Sequence, residues 1–249
     1  SVATDILPEE IAEPLEALQK DAPPMGFEVV ADQIERELGA RPELLFDDFD
    51  REPFASASIG QVHRAVTDDG RRVVVKVQYP GVDDSVGSDL SQLKMALRLS
   101  GFVDQGRRKA FDQLFEEIEE RLEEELDYTN EAENVRLFRR IHADDDWVVV
   151  PEVVGERSAK RVLTLTEVRG DGLGDVRDQY TWAQKDAVGT SIFRMLGTQL
   201  FREGVIHADP NPANFAFHPD GTIVLYDYGC VKKLTPEKIQ RVVQRVFNK

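Results

Sequence analysis

One segment near the carboxyl end of the chain carries the residue types that phosphoryl transfer requires. Asp209 lies in the run HADPNPAN (207–214), Asn214 ends this run, and Asp227 opens the later triplet DYG. Phosphoryl transfer needs a carboxylate that orients the attacking hydroxyl and oxygen ligands that hold Mg²⁺ against the phosphates. The pattern H-x-D-x-x-x-x-N followed by D-F/Y-G provides these groups in this order. The sequence therefore predicts Asp209 as the catalytic base and Asn214 and Asp227 as Mg²⁺ ligands.

Each part of this pattern is short enough to occur by chance. H-x-D or D-x-G alone marks a turn more often than a site, and His207 is expected to support the loop rather than to transfer protons. The joint order and spacing of the two parts favour a functional site.

A lysine lies inside a predicted strand further upstream, in the run RVVVKVQ (72–78). Lys76 matches the strand lysine that contacts the α- and β-phosphates of a nucleotide. A lysine on an edge strand usually extends its ammonium into water. Lys76 by itself would therefore not indicate a nucleotide site.

The small-residue run ASASIGQV (55–62) aligns with the nucleotide-loop pattern G-x-G-x-x-G-x-V. Alanine replaces the first two glycines, at Ala55 and Ala57, whereas Gly60 and Val62 are retained. An ordinary turn of small residues is the alternative interpretation. Because methyl groups narrow the available backbone conformations and hinder close approach to phosphate, we expect nucleotide handling that differs from that of an ordinary kinase.

The elements that position these residues are indicated by hydrophobic periodicity. The predicted helices cover 6–39 with a break at 21–26, then 88–99, 111–141 and 182–203, and the predicted strands cover 61–66, 72–78, 147–150, 161–166 and a hairpin at 215–226. His63 is expected on a strand surface. This order predicts an α+β, two-lobed fold. It has an N-terminal helical extension (1–50), a small lobe (51–167) with an inserted long helix, and a large lobe (168–249) with the predicted catalytic loop (207–214).

The long helix predicted at 111–141 is rich in acidic residues, most of which belong to a solvated face. Glu125 and Glu131 are the exceptions, because each continues an apolar stripe and a carboxylate there needs a partner. At about 100° per residue the two lie about 240° apart, so one continuous helix cannot present both to the same group.

Four segments closely resemble the UbiB/ADCK (aarF domain-containing) family of atypical kinase-like proteins. They are FASASIGQVH (54–63), VKVQYPG (75–81), ELDYTNEAEN (125–134) and HADPNPAN (207–214). The resemblance runs essentially end to end. It implies a protein-kinase-like two-lobed fold.

The resemblance also implies a role for particular residues. Glu125 and Asp127 match the family's regulatory E-x-D motif, and Glu131 matches the helix glutamate that pairs with Lys76. The Ala-rich loop and the hinge after the strand predicted at 161–166 are the implied nucleotide contacts. These are Ala55, Ser56, Ala57, Ser58, Ile59, Gly60, Val62, Lys76, Glu167 and Val168.

The function that the resemblance implies is ATP or ADP binding with Mg²⁺, ATPase or small-molecule kinase activity, and support of ubiquinone or other prenyl-lipid metabolism at a membrane surface. The family's K-x-G-Q motif is absent, and only residues 167–249 follow the hinge. We therefore expect a kinase-like core with a truncated large lobe, trimmed at both ends. Its own inhibitory segment and membrane anchor are expected to be missing.

Composition excludes some classes of partner. The chain has 47 Asp and Glu against 31 Lys and Arg, a net charge of −16. This is the wrong sign for a protein that tracks nucleic-acid phosphates. Cys230 is the single cysteine, so no intramolecular disulfide is expected and a reducing compartment is favoured. We expect a cytoplasmic protein that associates peripherally with membranes.

Two hypotheses from different classes follow. The first is an enzyme that transfers phosphate from ATP to water or to a prenyl-lipid or quinone precursor. A conventional protein kinase is disfavoured because Ala208 replaces the arginine of H-R-D and no A-P-E follows the DYG triplet. The second is a nucleotide-binding pseudokinase scaffold that organises lipid-biosynthetic enzymes.

Overall fold

The architecture is taken from a computed structural model that describes residues 25–57, 59–99, 109, 111–116, 118, 126–209 and 211–247. The chain divides into two compact units. The N-terminal unit comprises Val2–Asn130 and Val154–Leu165, and the catalytic-loop unit comprises Glu131–Val153 and Thr166–Lys249.

The labelled helices and strands are numbered in chain order. The helices are α1 Phe27–Leu38, α2 Pro42–Leu45, α3 Val82–Leu99, α4 Tyr128–Ile141, α5 Leu173–Gln179, α6 Trp182–Gly197 and α7 Pro236–Phe247. The strands are β1 Asp48–Phe49, β2 Ala55–Ala57, β3 Gly60–Val66, β4 Arg72–Gln78, β5 Val148–Val149, β6 Val162–Thr166, β7 Val205–His207, β8 Phe215–Phe217, β9 Ile223–Leu225 and β10 Val231–Lys233.

A sheet with the strand order β1-β3-β4-β6 forms the N-terminal unit, and β2 pairs with β3. β3 and β4 make an antiparallel hairpin in which Gly60 is opposite Gln78 and Val66 is opposite Arg72. The turn between them contains Gly70 at a φ of 79°, a conformation that glycine adopts without strain. The predicted hairpin is therefore present.

The core of the N-terminal unit lies between this sheet and α1. Val73, Val75 and Val77 alternate along β4 and are fully buried, and they pack in one cluster with Val30 and Ile34 of α1. The i, i+4 spacing of the two α1 residues places them on one helix face. The helix ends at Gly39, whose φ of 80° is the left-handed C-cap conformation. α1, which lies in the predicted N-terminal extension, is thus part of the core of this unit.

The prediction of one continuous helix over residues 111–141 is wrong. Residues 111–116 are helical, but Leu126 is in a turn and Asp127 is not helical. α4 begins at Tyr128 because the Asp127 carboxylate accepts a hydrogen bond from the Thr129 backbone N–H at 2.9 Å, as an N-cap does. A new helix therefore starts at this point. The 240° argument does not apply, and Glu125 lies outside the described residues.

The catalytic-loop unit contains a small mixed sheet and a two-stranded ladder. β9 pairs parallel with β5 and antiparallel with β8, and β10 pairs antiparallel with β7. α6 begins with a capping box in which the Thr181 side chain and the Gln184 side chain bond each other's backbone N–H. β7 leads directly into the segment that holds Asp209, and β8 follows this segment.

The helix predicted at 182–203 changes its geometry in its last third. α6 ends at Gly197, and Thr198–Glu203 continues as a π-helix that stops at Gly204, which has a φ of 62°. Within the described part of the chain, no helix has both the length and the apolarity to cross a bilayer.

Candidate functional site

The catalytic loop leaves β7 and enters a single 3₁₀ turn, Pro212–Asn214, before β8. The Asn214 Nδ2 donates a hydrogen bond to the Asp209 Oδ2 at 2.8 Å. The Asn211 backbone N–H donates to the Asp209 Oδ1 at 3.2 Å. The loop therefore holds the Asp209 carboxylate from both of its oxygens.

Asp227 follows β9 and joins the same set of hydrogen bonds. The Tyr226 backbone N–H donates to the Asn214 carbonyl at 2.9 Å, and the His207 Nε2 lies 2.5 Å from the Asp227 carbonyl. The Asp227 Oδ1 accepts from the Gly229 N–H at 2.9 Å. Asp209, Asn214 and Asp227, which the sequence singled out, are thus brought together in one unit.

His207 connects the two halves of this arrangement. A carbonyl only accepts hydrogen bonds, so the His207 Nε2 carries the proton that it donates to Asp227. The ring packs edge-to-face with Phe138 and with Tyr228, at centroid distances of 6.2 and 6.1 Å. This is the geometry that a supporting role requires.

α4 supplies two polar contacts to the DYG triplet. Glu131 is only 5% exposed, and its Oε1 accepts from the Tyr228 backbone N–H at 3.3 Å. The Asn134 Nδ2 donates to the Tyr228 carbonyl at 2.9 Å. The sequence reasoning did not assign Asn134. Its position three residues after Glu131, on the same helix face, was the available signal.

Tyr228 is the middle residue of the triplet and is fully buried. Burial, with the nearby Glu131 and Asp227 carboxylates, raises the pKa of its phenol well above the ordinary value. The hydroxyl donates to the Leu225 carbonyl at 3.2 Å. Tyr228 therefore stays neutral and acts as a packed anchor for the triplet.

The Ala-rich loop belongs to the N-terminal unit and forms a short hairpin. Ala55 is opposite Val62 and Ala57 is opposite Gly60, and Ser58 lies outside the described residues. The Ile59 carbonyl accepts from the Tyr79 N–H at 2.9 Å. A Cβ on Gly60 would lie 2.3 Å from the Val77 carbonyl oxygen, so this position admits only glycine.

Lys76 lies in the interior of the sheet, because β4 runs between β3 and β6. The residue is 8% exposed and is opposite Val62 in the ladder. The alternative of an edge-strand lysine that reaches into water is therefore wrong for this structure.

The expectation that His63 lies on a strand surface is also wrong, since its exposure is 0%. Its Nδ1 lies 2.8 Å from the Asp50 carbonyl and its Nε2 lies 2.9 Å from the Gln61 Nε2. Burial lowers the pKa of His63, against the opposing effect of the Asp50 carbonyl. The ring is a neutral member of the buried sheet.

The remaining predicted site residues are Glu125, Asp127, Glu167 and Val168. Asp127 caps α4, and Glu125 is not described. Glu167 directly follows β6, and its side chain is 9% exposed and bonds the Arg169 guanidinium at 3.0 Å. Val168 is half-buried.

Comparison with known proteins gives a family match over nearly the whole chain. A family model described as the ABC1 atypical kinase-like domain matches residues 17–248. A chloroplastic protein of Arabidopsis thaliana, ACTIVITY OF BC1 COMPLEX KINASE 7, is 33% identical over 100% of this chain. A probable protein kinase UbiB of Aeromonas hydrophila is 34% identical over 95% of this chain.

A solved structure is similar as well. The complex of Rv3197 with erythromycin from Mycobacterium tuberculosis has a TM-score of 0.74 and 34% identity, over 94% of this chain and 59% of that one. This chain spans 36% of the Arabidopsis relative and 45% of the Aeromonas relative. The predicted α+β, kinase-like fold and the family resemblance are confirmed.

Proposed function

Because the chain belongs to the ABC1 atypical kinase-like family, we propose that it binds ATP with Mg²⁺ and transfers the γ-phosphoryl group to water or to a small-molecule acceptor. The observation that carries the proposal is the 2.8 Å hydrogen bond between Asn214 and Asp209, in a loop that is bonded directly to the DYG segment. The chain spans less than half of the length of the Arabidopsis and Aeromonas relatives, so any activity of a longer protein also belongs to the proposal.

The donor set near Asp209 fits Mg²⁺. Mg²⁺ prefers hard oxygen ligands and is commonly held by one or two side chains together with water and substrate phosphates. Because Nδ2 is the atom with which Asn214 bonds Asp209, the Oδ1 remains the amide atom that can act as a ligand. Asp227 contributes carboxylate oxygens.

The proposed role of Asp209 is to orient the acceptor hydroxyl and to take its proton. Each Asp209 oxygen already accepts one hydrogen bond from the loop. An ionised carboxylate has about four acceptor positions, so it can accept a further proton donor. The bound Mg²⁺ would supply charge neutralisation on the phosphates.

The nucleotide contacts of the other predicted residues remain proposals. We propose that Lys76 contacts the phosphates and that Glu131 is its partner, as the family resemblance implies. Lys76 lies on an inner strand of the sheet and is buried, which supports a role other than contact with solvent. The Ala-rich hairpin and the hinge residues Glu167 and Val168 are the proposed contacts for the rest of the nucleotide.

The proposed acceptor class is a prenyl-lipid or quinone precursor at a membrane surface. This rests on the family resemblance. The alternative is a scaffold that binds nucleotide without phosphoryl transfer. The chain keeps Asp209, which nucleotide binding alone does not need, and this favours the enzyme.

ATP hydrolysis tests the proposal. The assay contains Mg²⁺ and a quinone-precursor mimic, and it compares wild type with Asp209→Asn and with the control Asp178→Asn. Asp178 is exposed and pairs with Arg177 at 2.8 Å, so its variant makes the same charge change on α5. We expect Asp209→Asn to lower turnover about a hundredfold or more and Asp178→Asn to leave it unchanged. Nucleotide-dependent stabilisation without turnover above the Asp209 variant would support the scaffold.

A further inference from the structure

Gln199 lies in the π-helical segment that precedes the catalytic loop. Its exposure is 0%, although a glutamine side chain is costly to bury without hydrogen bonds. Its backbone carbonyl accepts from the Gly204 N–H, which ends the segment. Short π-helical turns are rare and occur often at functional sites. A buried amide at this position therefore needs hydrogen-bond partners at both of its ends.

The Gln199 side chain makes two directed contacts. Its Oε1 accepts from the His207 backbone N–H at 3.1 Å, at the end of β7. Its Nε2 lies 3.3 Å from the His142 Nε2. The oxygen end of the amide therefore faces the catalytic loop, and the NH₂ end faces the histidine after α4.

The direction of this amide is determined by Asp145 and His142. The Asp145 carboxylate lies 2.8 Å from the His142 Nδ1 and can only accept, so Nδ1 carries a proton and, in the neutral ring, Nε2 is an acceptor. An acceptor at Nε2 requires the NH₂ end of the Gln199 amide. The opposite orientation would place two acceptors together at His142 and two donors together at His207.

His207 links Gln199 to Asp227 through two hydrogen bonds. His207, whose backbone N–H donates to the Gln199 Oε1, also donates from its ring Nε2 to the Asp227 carbonyl. From these contacts we propose that Gln199 is a positioning residue for the catalytic loop, with its amide orientation set by His142 and Asp145. The proposal rests on the proposed function for its catalytic consequence, but the hydrogen bonds themselves can be tested without activity.

The first test is residue-resolved amide hydrogen exchange. Gln199→Met keeps the length of the side chain and removes its hydrogen bonds. We expect the His207 amide to exchange about ten- to a hundredfold faster, whereas the Ala208 amide, which bonds the Cys230 carbonyl at 2.9 Å, changes less. His142→Phe keeps a ring but removes the acceptor that orients the amide, and we expect a smaller increase in the exchange rate of the His207 amide. This variant replaces Gln199→Met in the test if Gln199→Met does not fold.

The control is Met195→Ala, which lies in the same helical run and is 1% exposed. It creates a cavity and lowers stability without removing a polar contact. The exchange rate of the His207 amide is compared in the two variants after correction for their global stabilities. If this rate rises equally in Met195→Ala and in Gln199→Met, the proposal is overturned.

The second test is steady-state kinetics of ATP hydrolysis. We expect Gln199→Met to lower kcat about tenfold or more with a smaller change in the KM for ATP, because Lys76, the Ala-rich hairpin and the hinge, which are the other proposed nucleotide contacts, lie outside this loop. A rise in the KM for ATP without a fall in kcat would contradict this expectation. If wild type shows no turnover, the proposed function fails, and hydrogen exchange alone decides the positioning role.

Discussion

Asn214 has two roles at the scale of a single residue, because one end of its amide bonds Asp209 and the other is the proposed Mg²⁺ ligand. We predict that Asn214→Ala raises the Mg²⁺ concentration needed for half-maximal ATP hydrolysis about tenfold or more, since the substitution removes an oxygen ligand. The measurement is a Mg²⁺ titration at saturating ATP.

Asn211→Ala is the matched control for this titration. Asn211 lies in the same loop, and its side chain accepts from the Ala213 N–H at 3.1 Å, so its loss affects only the 3₁₀ turn. Similar Mg²⁺ dependence in the two variants would contradict the ligand role of Asn214.

His63 makes stability depend on pH. Burial lowers its pKa in the folded state below the ordinary 6.5, so the unfolded chain binds a proton at pH values where the folded chain does not. The free energy of unfolding therefore falls as the pH drops below about 6.5, and this loss ends once folded His63 is also protonated. We predict that His63→Gln lacks this part of the pH dependence.

Urea unfolding of wild type and His63→Gln across this pH range checks the prediction. All other titratable groups are common to both chains, so the difference between the two curves isolates His63. Parallel curves below pH 6.5 would show that folded His63 titrates normally.

The start of α4 can be tested at the scale of an element. Asp127 accepts from the Thr129 N–H as an N-cap, and it is also the second acid of the predicted E-x-D motif. We predict that Asp127→Ala lowers the free energy of unfolding by about 1 kcal/mol, because one helix N–H loses its partner. Asp127→Ser should restore most of this loss, since serine is an equally good N-cap.

Measuring ATP hydrolysis in the same two variants separates capping from regulation. If the carboxylate has the regulatory role that the resemblance implies, Asp127→Ser changes activity while its stability is close to that of wild type. Equal stability losses in both variants would contradict the capping role.

Elements also show what sequence patterns can and cannot predict. Asp209 and Asn214 are close in the sequence, so their spacing alone indicated that they meet. The contacts from Glu131 to Tyr228 and from Gln199 to His142 join distant parts of the chain, and no local spacing encodes them.

The misplaced features have physical reasons as well. All four residues of β3 from Gly60 to His63 are buried, so both faces of the strand are covered there. The usual rule of one buried and one exposed face therefore failed for His63. The break before α4 was missed because acidic residues on both sides favour a helix, whereas the cap at Asp127 depends on its conformation.

At the scale of the whole molecule, the net charge of −16 opposes the approach of a phosphate ligand. Asn214, Asp227 and Lys76 belong to the proposed local site, but the field at a distance is set by the excess of acidic residues. Binding of Mg²⁺-ATP would therefore proceed against a repulsive field that dissolved salt screens within about 10 Å at about 0.1 M ionic strength.

We predict that the association rate constant for a fluorescent Mg²⁺-ATP analogue rises several-fold between about 0.02 and about 0.3 M ionic strength, because screening removes the repulsion. Stopped-flow fluorescence measures this rate, with an uncharged adenosine analogue as the control, whose rate should not depend on salt. A Mg²⁺-ATP rate that falls with salt would mean that the local field near Lys76 outweighs the net charge. The salt dependence of the rate therefore distinguishes a locally attractive site from a globally repulsive chain.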